Sequence, residues 1–284
     1  FFAILLGSDN GGTVTPTDGS VTTAKIVDAN VTKAKLADAI DIFNNASLLA
    51  GDLGTGIHIK TADSGAGVNG SADNLVIEDS GDSGMTILSG TGNHSRISFG
   101  DSGDNDIGMI TYDHGGNAMA IKTNAATGIY IDSAGAVTKP LQPAFHASLA
   151  STVQSNFAAA ATTLQYKSER FDNNGDFNTT NYTFTAPVTG RYFLAANIEL
   201  SNIDNANDYM RLIMSTSNLD YYQGIVSPNL VFSSDGGYFS MHVAQLVDMD
   251  ANDTALIKLE INDGASQTDV VGSAPNVFSG FLVC

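Results

Sequence analysis

The chain has 284 residues and a formal net charge of −18, from 12 Lys+Arg against 30 Asp+Glu. This charge would repel phosphate backbones, so nucleic-acid binding is excluded as a function. Hydrophobic residues make up 43% of the chain, which is enough for a folded core and excludes wholesale disorder. No apolar run reaches the roughly 18 residues of a membrane span, so we expect no membrane insertion.

The first 50 residues carry a short tandem repeat. Residues 20–29 and 30–39 share Val, Thr, Ala, Lys, Asp and Ala at equivalent positions. Such a repeat has few large apolar side chains and must pack against copies of itself. We expect Phe1–Leu6 to be the last strand of a domain that begins upstream, and Ile40–Leu49 to form a short helix. Residues 1–50 are therefore predicted to be an N-terminal repeat and attachment segment.

Residues 51–139 are predicted to form a β-rich fibre shaft. Short apolar runs alternate with Gly, Asp, Ser and Asn turns, a spacing typical of a meander, a barrel or a stacked shaft. Each run is thin in apolar side chains, which favours a trimeric shaft whose core is shared by three chains. The sequence leaves open whether strands wind between chains or fold within each. The predicted strands are Ile57–Lys60, Asn74–Asp79, Met85–Leu88, Arg96–Phe99, Ile107–Asp113, Met119–Thr123 and Ile129–Ile131.

A proline-rich linker at 139–143 separates the shaft from the rest of the chain. Pro140 and Pro143 stop both helices and central strands. Aromatic and alternating apolar residues are denser after it. Residues 140–284 are predicted to form one β-sandwich head domain, a size that suits this fold.

Four segments of the head domain resemble the C1q/TNF-like family. They are, in chain order, Pro143–Ala147, Phe171–Asn178, Tyr182–Phe193 and Phe278–Val283. The resemblance implies a ten-stranded jelly roll that assembles into a homotrimer. The residues to which it assigns fold and trimer-core roles are Phe184, Tyr192, Phe193, Phe278 and Phe281.

The N-terminal half resembles bacteriophage fibres. The repeat at 18–39 is similar to repeats of phage tail-fibre proteins, and residues 110–137 are similar to a shaft repeat that precedes fibre terminal domains. No Gly-X-Y period is present, which excludes the collagen stem of animal C1q relatives. The resemblance implies an all-β virion fibre, located on the extracellular viral particle and bound to other virion proteins at its N-terminal end.

Catalytic patterns are missing from the sequence. The five histidines show no zinc spacing, and the nucleophile-elbow and phosphate-loop motifs are absent. We therefore expect no enzymatic activity and no cofactor.

Calcium is the one ion that the sequence suggests, because Asp172, Asn174 and Asp176 place oxygen-bearing side chains at alternate positions. Turn formation is the alternative role of these residues.

Three functional hypotheses follow. The first is adhesion of the trimeric tip to a host-surface glycan or envelope protein, since tyrosines suit sugar stacking and loops on rigid scaffolds carry specificity. The second is a head fibre or decoration protein with a purely architectural, trimerising tip. The third, a glycan depolymerase, is disfavoured because 51–139 is too short for a long β-helix. The candidate receptor-binding residues are Tyr209, Tyr221, Tyr222, Ser233, Ser234 and Asp235.

Overall fold

The computed structural model describes residues 57–151, 154–272 and 276–284. The tandem repeat, the predicted helix Ile40–Leu49 and the predicted strand Phe1–Leu6 lie outside these residues. The described backbone is almost entirely extended, with one helical turn, α1 (Pro228–Val231), so the all-β fold class is confirmed. Within these ranges, no helix has the length and apolar character needed to cross a membrane.

The chain divides into two compact units, residues 1–86 and 87–284. The predicted domain limits near residues 50 and 139 stay a prediction. In the described part of the first unit, β1 (Ile57–Lys60) pairs in parallel with β2 (Leu75–Glu78). Both strands were predicted from their apolar runs, and both are confirmed to within a residue at each end.

A carboxylate at the end of β2 ties the two strands to their connecting loop. Glu78 accepts hydrogen bonds from the backbone N–H and the hydroxyl of Ser64 at 2.8 and 3.0 Å. Its other oxygen lies 2.8 Å from Nε2 of His58 and 3.5 Å from Nζ of Lys60. The Ser64 backbone N–H, with the Ser64 hydroxyl, Lys60 and His58, lowers the pKa of Glu78 from 4.5 to about 2.

We expect the β1–β2 pair to lose stability in acid through Glu78. A carboxylate with a depressed folded pKa stabilises the fold above its unfolded pKa, and this contribution disappears as pH falls from 4.5 towards about 2. Hydrogen exchange of residues 57–86, corrected for intrinsic rates, should show falling protection over that window. Glu78→Gln should already show the loss at pH 7, whereas Asp82→Asn should not. Equal protection in Glu78→Gln and the wild type would contradict this assignment.

The second unit begins with a five-stranded antiparallel sheet in the order β3-β4-β5-β6-β7. Four of these strands, β3 to β6, were predicted and are confirmed. β3, β5 and β6 begin earlier than predicted, and β4 begins one residue later. The fifth is a two-residue strand that had no apolar signal of its own. The strands are β3 (His94–Phe99), β4 (Gly108–Asp113), β5 (Ala118–Thr123), β6 (Ala126–Ile131) and β7 (Val137–Thr138).

The prediction of a strand at Met85–Leu88 is wrong. These residues are not in a strand, and their side chains are exposed. The edge strand β3 pairs only with β4 among the described strands, so the apolar run has no ladder partner. A strand requires a partner for its backbone groups, which a short apolar run does not supply by itself.

Aspartates form the turns of this sheet, as expected for acidic residues beside glycine. Asp101 accepts the backbone N–H groups of Gly103 and Asp104. Asp132 does the same for Ala134 and Ala136. Side-chain acceptors of this kind replace the backbone bonds that a tight turn leaves open. The acidic composition therefore reflects turn formation at these positions.

Twelve further strands build a β-sandwich. They are β8 (Ala144–Ser148), β9 (Ala161–Thr163), β10 (Ser168–Asp172), β11 (Phe177–Asn178), β12 (Thr183–Thr185), β13 (Gly190–Ser201), β14 (Tyr209–Thr216), β15 (Asp220–Val226), β16 (Tyr238–Met249), β17 (Thr254–Asn262), β18 (Asp269–Val270) and β19 (Val277–Leu282).

The strand order is that of a jelly roll. One sheet, here called the β13 sheet, has the order β10-β8-β19-β13-β16, with β18 also paired to β13. The other, the β17 sheet, has the order β11-β12-β17-β14-β15, with β9 also paired to β17. The chain crosses between the sheets from β12 to β13, β13 to β14, β15 to β16 and β16 to β17, which is the path of two Greek keys. The predicted jelly-roll head is confirmed.

The core lies between the two sheets. Alternate residues of β13, among them Tyr192 and Leu194, are fully buried, as the two-residue period of a strand requires. Phe145 stacks on Phe184 at 4.7 Å between ring centroids and meets Phe278 edge-on at 4.9 Å. Three of the predicted core residues, Phe184, Tyr192 and Phe278, therefore lie inside the sandwich.

Gly280 is required by the close packing of this core. It stands opposite Phe145 in the β19–β8 ladder. A Cβ at this position would lie 2.9 Å from Cε1 of Phe145 and would collide with the Leu194 side chain. The aromatic cluster can therefore form only where β19 has no side chain.

Two buried tyrosines in the sandwich are expected to respond oppositely to loss of their hydroxyl groups. The Tyr166 hydroxyl is buried and has no hydrogen-bond partner among the described residues, whereas the Tyr192 hydroxyl donates to the Val188 carbonyl at 2.7 Å. Tyr166→Phe should stabilise the protein by about 1–3 kcal/mol, and Tyr192→Phe should destabilise it by about 1 kcal/mol. Urea denaturation of both variants measures this. A destabilised Tyr166→Phe would show that its hydroxyl is satisfied in solution.

Candidate functional site

The outward face of the β17 sheet brings together two of the predicted receptor-binding tyrosines. Met210 and Leu212 of β14 are buried in the core, so Tyr209 and Arg211, which alternate with them, point outward. Tyr222 of β15 and Glu260 of β17 flank Arg211 on the same face. We call Tyr209, Arg211, Tyr222 and Glu260 the Tyr–Arg platform.

Arg211 organises the platform. Its guanidinium carbon lies 4.2 Å from the Tyr222 ring centroid and 5.4 Å from the Tyr209 ring centroid. Its Nε donates to Oε2 of Glu260 at 2.5 Å, and the Tyr209 hydroxyl donates to Oε1 at 3.2 Å. The hydrogen bond to Glu260 raises the pKa of Arg211, so the guanidinium stays charged. The contacts hold both tyrosine rings against a fixed cation.

The platform has the chemistry of a recognition surface. Tyr222 remains 52% exposed although Arg211 packs on its ring. A pre-ordered aromatic ring beside a guanidinium and a carboxylate offers stacking, hydrogen bonding and charge at low entropic cost. Tyrosine and arginine are also the residues that dominate binding energy at protein interfaces. The arrangement suits a sugar ring or a polar protein surface.

The other candidate receptor residues lie elsewhere. Tyr221 is half-buried and packs against the core cluster, because neighbouring residues of a strand point to opposite faces. Ser233, Ser234 and Asp235 are exposed in the loop after α1. Asp235 accepts the backbone N–H of Asn205 at 2.8 Å, which joins two loops of the sandwich.

Sequence reasoning missed Arg211 and Glu260. The two-residue period of β14 could have placed Arg211 on the same face as Tyr209. Glu260 stands opposite Arg211 in the β14–β17 ladder, 49 residues further along the chain. The long-range register that joins them leaves no local signal.

The predicted calcium residues form a closed turn. Asp172 accepts the backbone N–H groups of Gly175 and Asp176 with one oxygen, and that of Phe177 with the other. Asn174 donates to the Leu141 carbonyl at 3.2 Å. Burial, with Asp172 nearby, raises the pKa of Asp176. Within the described ranges, no group of three or more His, Cys, Asp or Glu side chains could hold a metal ion. Calcium binding stays a prediction.

Part of the outward face of the β13 sheet is apolar. Phe281, Phe193 and Leu246 stand side by side across β19, β13 and β16, and they are 48%, 38% and 56% exposed. The two rings are 5.7 Å apart between centroids. The next row of the same face holds Ala195 and Ala244, whose small side chains allow close approach. We call these five residues the apolar face.

The structure thus separates the five predicted core residues into two groups. Phe193 and Phe281 belong to the apolar face, outside the sandwich, while the other three are interior. Exposed apolar patches are characteristic of protein–protein contact surfaces.

The path of the backbone resembles that of several solved globular domains. No protein-family model matches the chain, and no curated protein matches its sequence. The globular domain of zebrafish complement 1qA protein matches with 19% identity and a TM-score of 0.34, covering 50% of this chain and 98% of that one. Murine APRIL, in crystals at pH 8.5 and pH 8.0, matches with 14% and 15% identity, TM-scores of 0.35 and 0.36 and the same coverage. The jelly-roll assignment rests on the strand order given above.

Proposed function

We propose that the chain is a structural fibre of a phage virion, whose C1q-like head forms a homotrimeric tip that adheres to the host surface. The observation that carries the proposal is the apolar face of the β13 sheet. It supports assembly of the head domain, and the phage-fibre resemblance of residues 18–39 and 110–137 supports the virion location.

Burial of the apolar face between subunits accounts for its composition. Phe281, Phe193 and Leu246 are already about half buried, so covering the rest of each would contribute about half of the ~1.5–3 kcal/mol of a fully exposed side chain. Each chain carries a net charge of −18, so chains repel one another unless acidic residues avoid the contact. The two central rows of the apolar face contain no Asp or Glu. A trimer is proposed because C1q-type heads assemble in threes.

Assembly through the apolar face leaves the Tyr–Arg platform free. The platform lies on the outward face of the opposite sheet of the sandwich. A trimer would therefore display three copies of it around the tip. Three linked sites raise the effective affinity for a repeating surface glycan without any additional contact. We propose this platform as the adhesive surface, with a host glycan or envelope protein as the partner.

The second candidate function is an architectural tip. The apolar face alone would hold three chains in register and align the shaft upstream, without any role in adhesion. We do not propose glycan cleavage by the platform. Its one carboxylate, Glu260, is bonded to Arg211 and Tyr209, whereas glycosidases use two carboxylates across the scissile bond.

Two experiments test the function. Gold-labelled antibody against the head domain should mark an appendage of the virion in electron micrographs. Fluorescently labelled full chain should bind the cells that the phage infects and should not bind a non-host strain. Antibody labelling of the virion, without binding of the labelled chain to cells, would favour the architectural tip. Absence of the chain from virions would overturn the fibre proposal.

A further inference from the structure

A polar cavity of about 560 Å³ lies on the β3–β7 sheet, apart from both surfaces described above. Arg96, Met109, Thr111 and Lys122 line it from three adjacent strands, together with His94 and Asp106. Small-molecule sites occupy roughly 300–1,000 Å³, so the cavity has room for a ligand the size of one or two sugar units.

Strand register makes the two cations converge. Arg96 of β3 stands opposite Thr111 of β4, and Lys122 of β5 stands opposite Met109. With strands about 4.8 Å apart and a rise of about 3.4 Å per residue, the Cα atoms of Arg96 and Lys122 lie about 12 Å apart. Their long side chains flank the same stretch of β4 and can reach one ligand from both sides.

Arg96 and Lys122 lack carboxylate partners among the described residues. By contrast, Arg211 pairs with Glu260, and Lys60 pairs with Glu78. In a chain of net charge −18, this cavity sets two unpaired cations against one lining carboxylate, that of Asp106, so its net charge is locally positive.

Thr111 supplies an independent signal at the centre of the cavity. Its Oγ1 is buried and has no hydrogen-bond partner among the described residues. A buried hydroxyl without a partner is destabilising. A rotation about χ1 of Thr111 would turn this hydroxyl towards the cavity, where a ligand oxygen between Arg96 and Lys122 would accept from it.

We infer that this cavity binds an oxyanion, either the carboxylate of an acidic sugar or a free phosphate. Arg96 and Lys122 donate charge-assisted hydrogen bonds to the anion, and Thr111 donates a third bond from its hydroxyl. Met109 provides an apolar wall for the C–H face of a sugar ring. The inference is independent of the proposed adhesive platform.

Ligand-observed NMR on the full chain tests the inference with three probes: inorganic phosphate, glucuronate and neutral glucose. Both anions should bind and glucose should not, and binding should weaken as salt is added. Tighter binding of glucuronate would identify an acidic sugar as the ligand, and tighter binding of phosphate a free phosphate. Failure of both anions to bind, or equal binding of glucose, would overturn the inference.

Variants locate the site. Arg96→Gln and Lys122→Gln should each weaken anion binding at least about tenfold, since each removes a charge-assisted bond. Lys167→Gln removes the same charge from an exposed position outside the cavity and should leave binding unchanged. Thr111→Val keeps the side-chain shape and should weaken binding several-fold without reducing thermal stability. Wild-type binding in both charge variants would contradict the assignment.

Discussion

Phe193→Asp is expected to convert the assembled head into monomers. Phe193 is the middle residue of the aromatic row on the apolar face, between Phe281 and Leu246. An aspartate there would be buried against an apolar partner surface, where an unpaired carboxylate costs several kcal/mol. The sandwich should survive, because the Phe193 side chain points away from its core. We expect the native mass to fall from three chains to one chain of 29.5 kDa, with unchanged far-ultraviolet circular dichroism.

The matched control for this variant is Leu230→Asp. Leu230 lies in α1 and is 85% exposed, so it carries the same type of substitution on a surface that we do not place in the contact. It should keep the mass of the wild type. A Phe193→Asp protein that keeps the wild-type mass would show that the apolar face is not the subunit interface.

Arg211→Ala and Tyr222→Ala are expected to reduce adhesion to host cells at least about tenfold, as hot-spot truncations do. Arg211→Ala removes the cation that holds both tyrosine rings, and Tyr222→Ala removes the exposed ring itself. The loss of adhesion should exceed the loss of affinity at a single platform, because a trimer displays the platform three times. Flow cytometry with labelled protein measures the effect. Both variants should remain trimeric, because the platform lies on the sheet opposite the apolar face.

Two further variants serve as comparisons in the adhesion experiment. Arg211→Lys keeps the charge but loses the planar group that stacks on the rings, so it should bind less well than the wild type. Tyr130→Ala removes a partly exposed tyrosine from β6 and should bind like the wild type. Unaltered adhesion in both platform variants would move the adhesive surface elsewhere or favour the architectural tip.

The sequence was most informative where local patterns determine structure. The apolar runs of the β3–β7 sheet and the alternation that buries Tyr192 follow from strand geometry alone. The aspartate turns beside glycine follow from side-chain hydrogen bonding. The linker at 139–143 precedes β8, the first strand of the sandwich, as two prolines require.

The candidate sites were less predictable, because they depend on pairing between distant strands. The pairing of Tyr222 with Ile213 and of Tyr221 with Met214 decides that Tyr222 lies on the face of Arg211 while Tyr221 packs against the core. The cavity of Arg96, Thr111 and Lys122 exists only once β3, β4 and β5 are aligned. The Met85–Leu88 prediction failed for the same reason, since an apolar run carries no information about a partner strand.

The native mass of the full chain in solution, measured by light scattering, tests the central claim most directly. The proposed trimeric tip predicts a stable mass of three chains of 29.5 kDa at low protein concentration. A protein that remains monomeric at all concentrations would contradict both the proposed trimeric tip and the burial of Phe193, Leu246 and Phe281 between subunits.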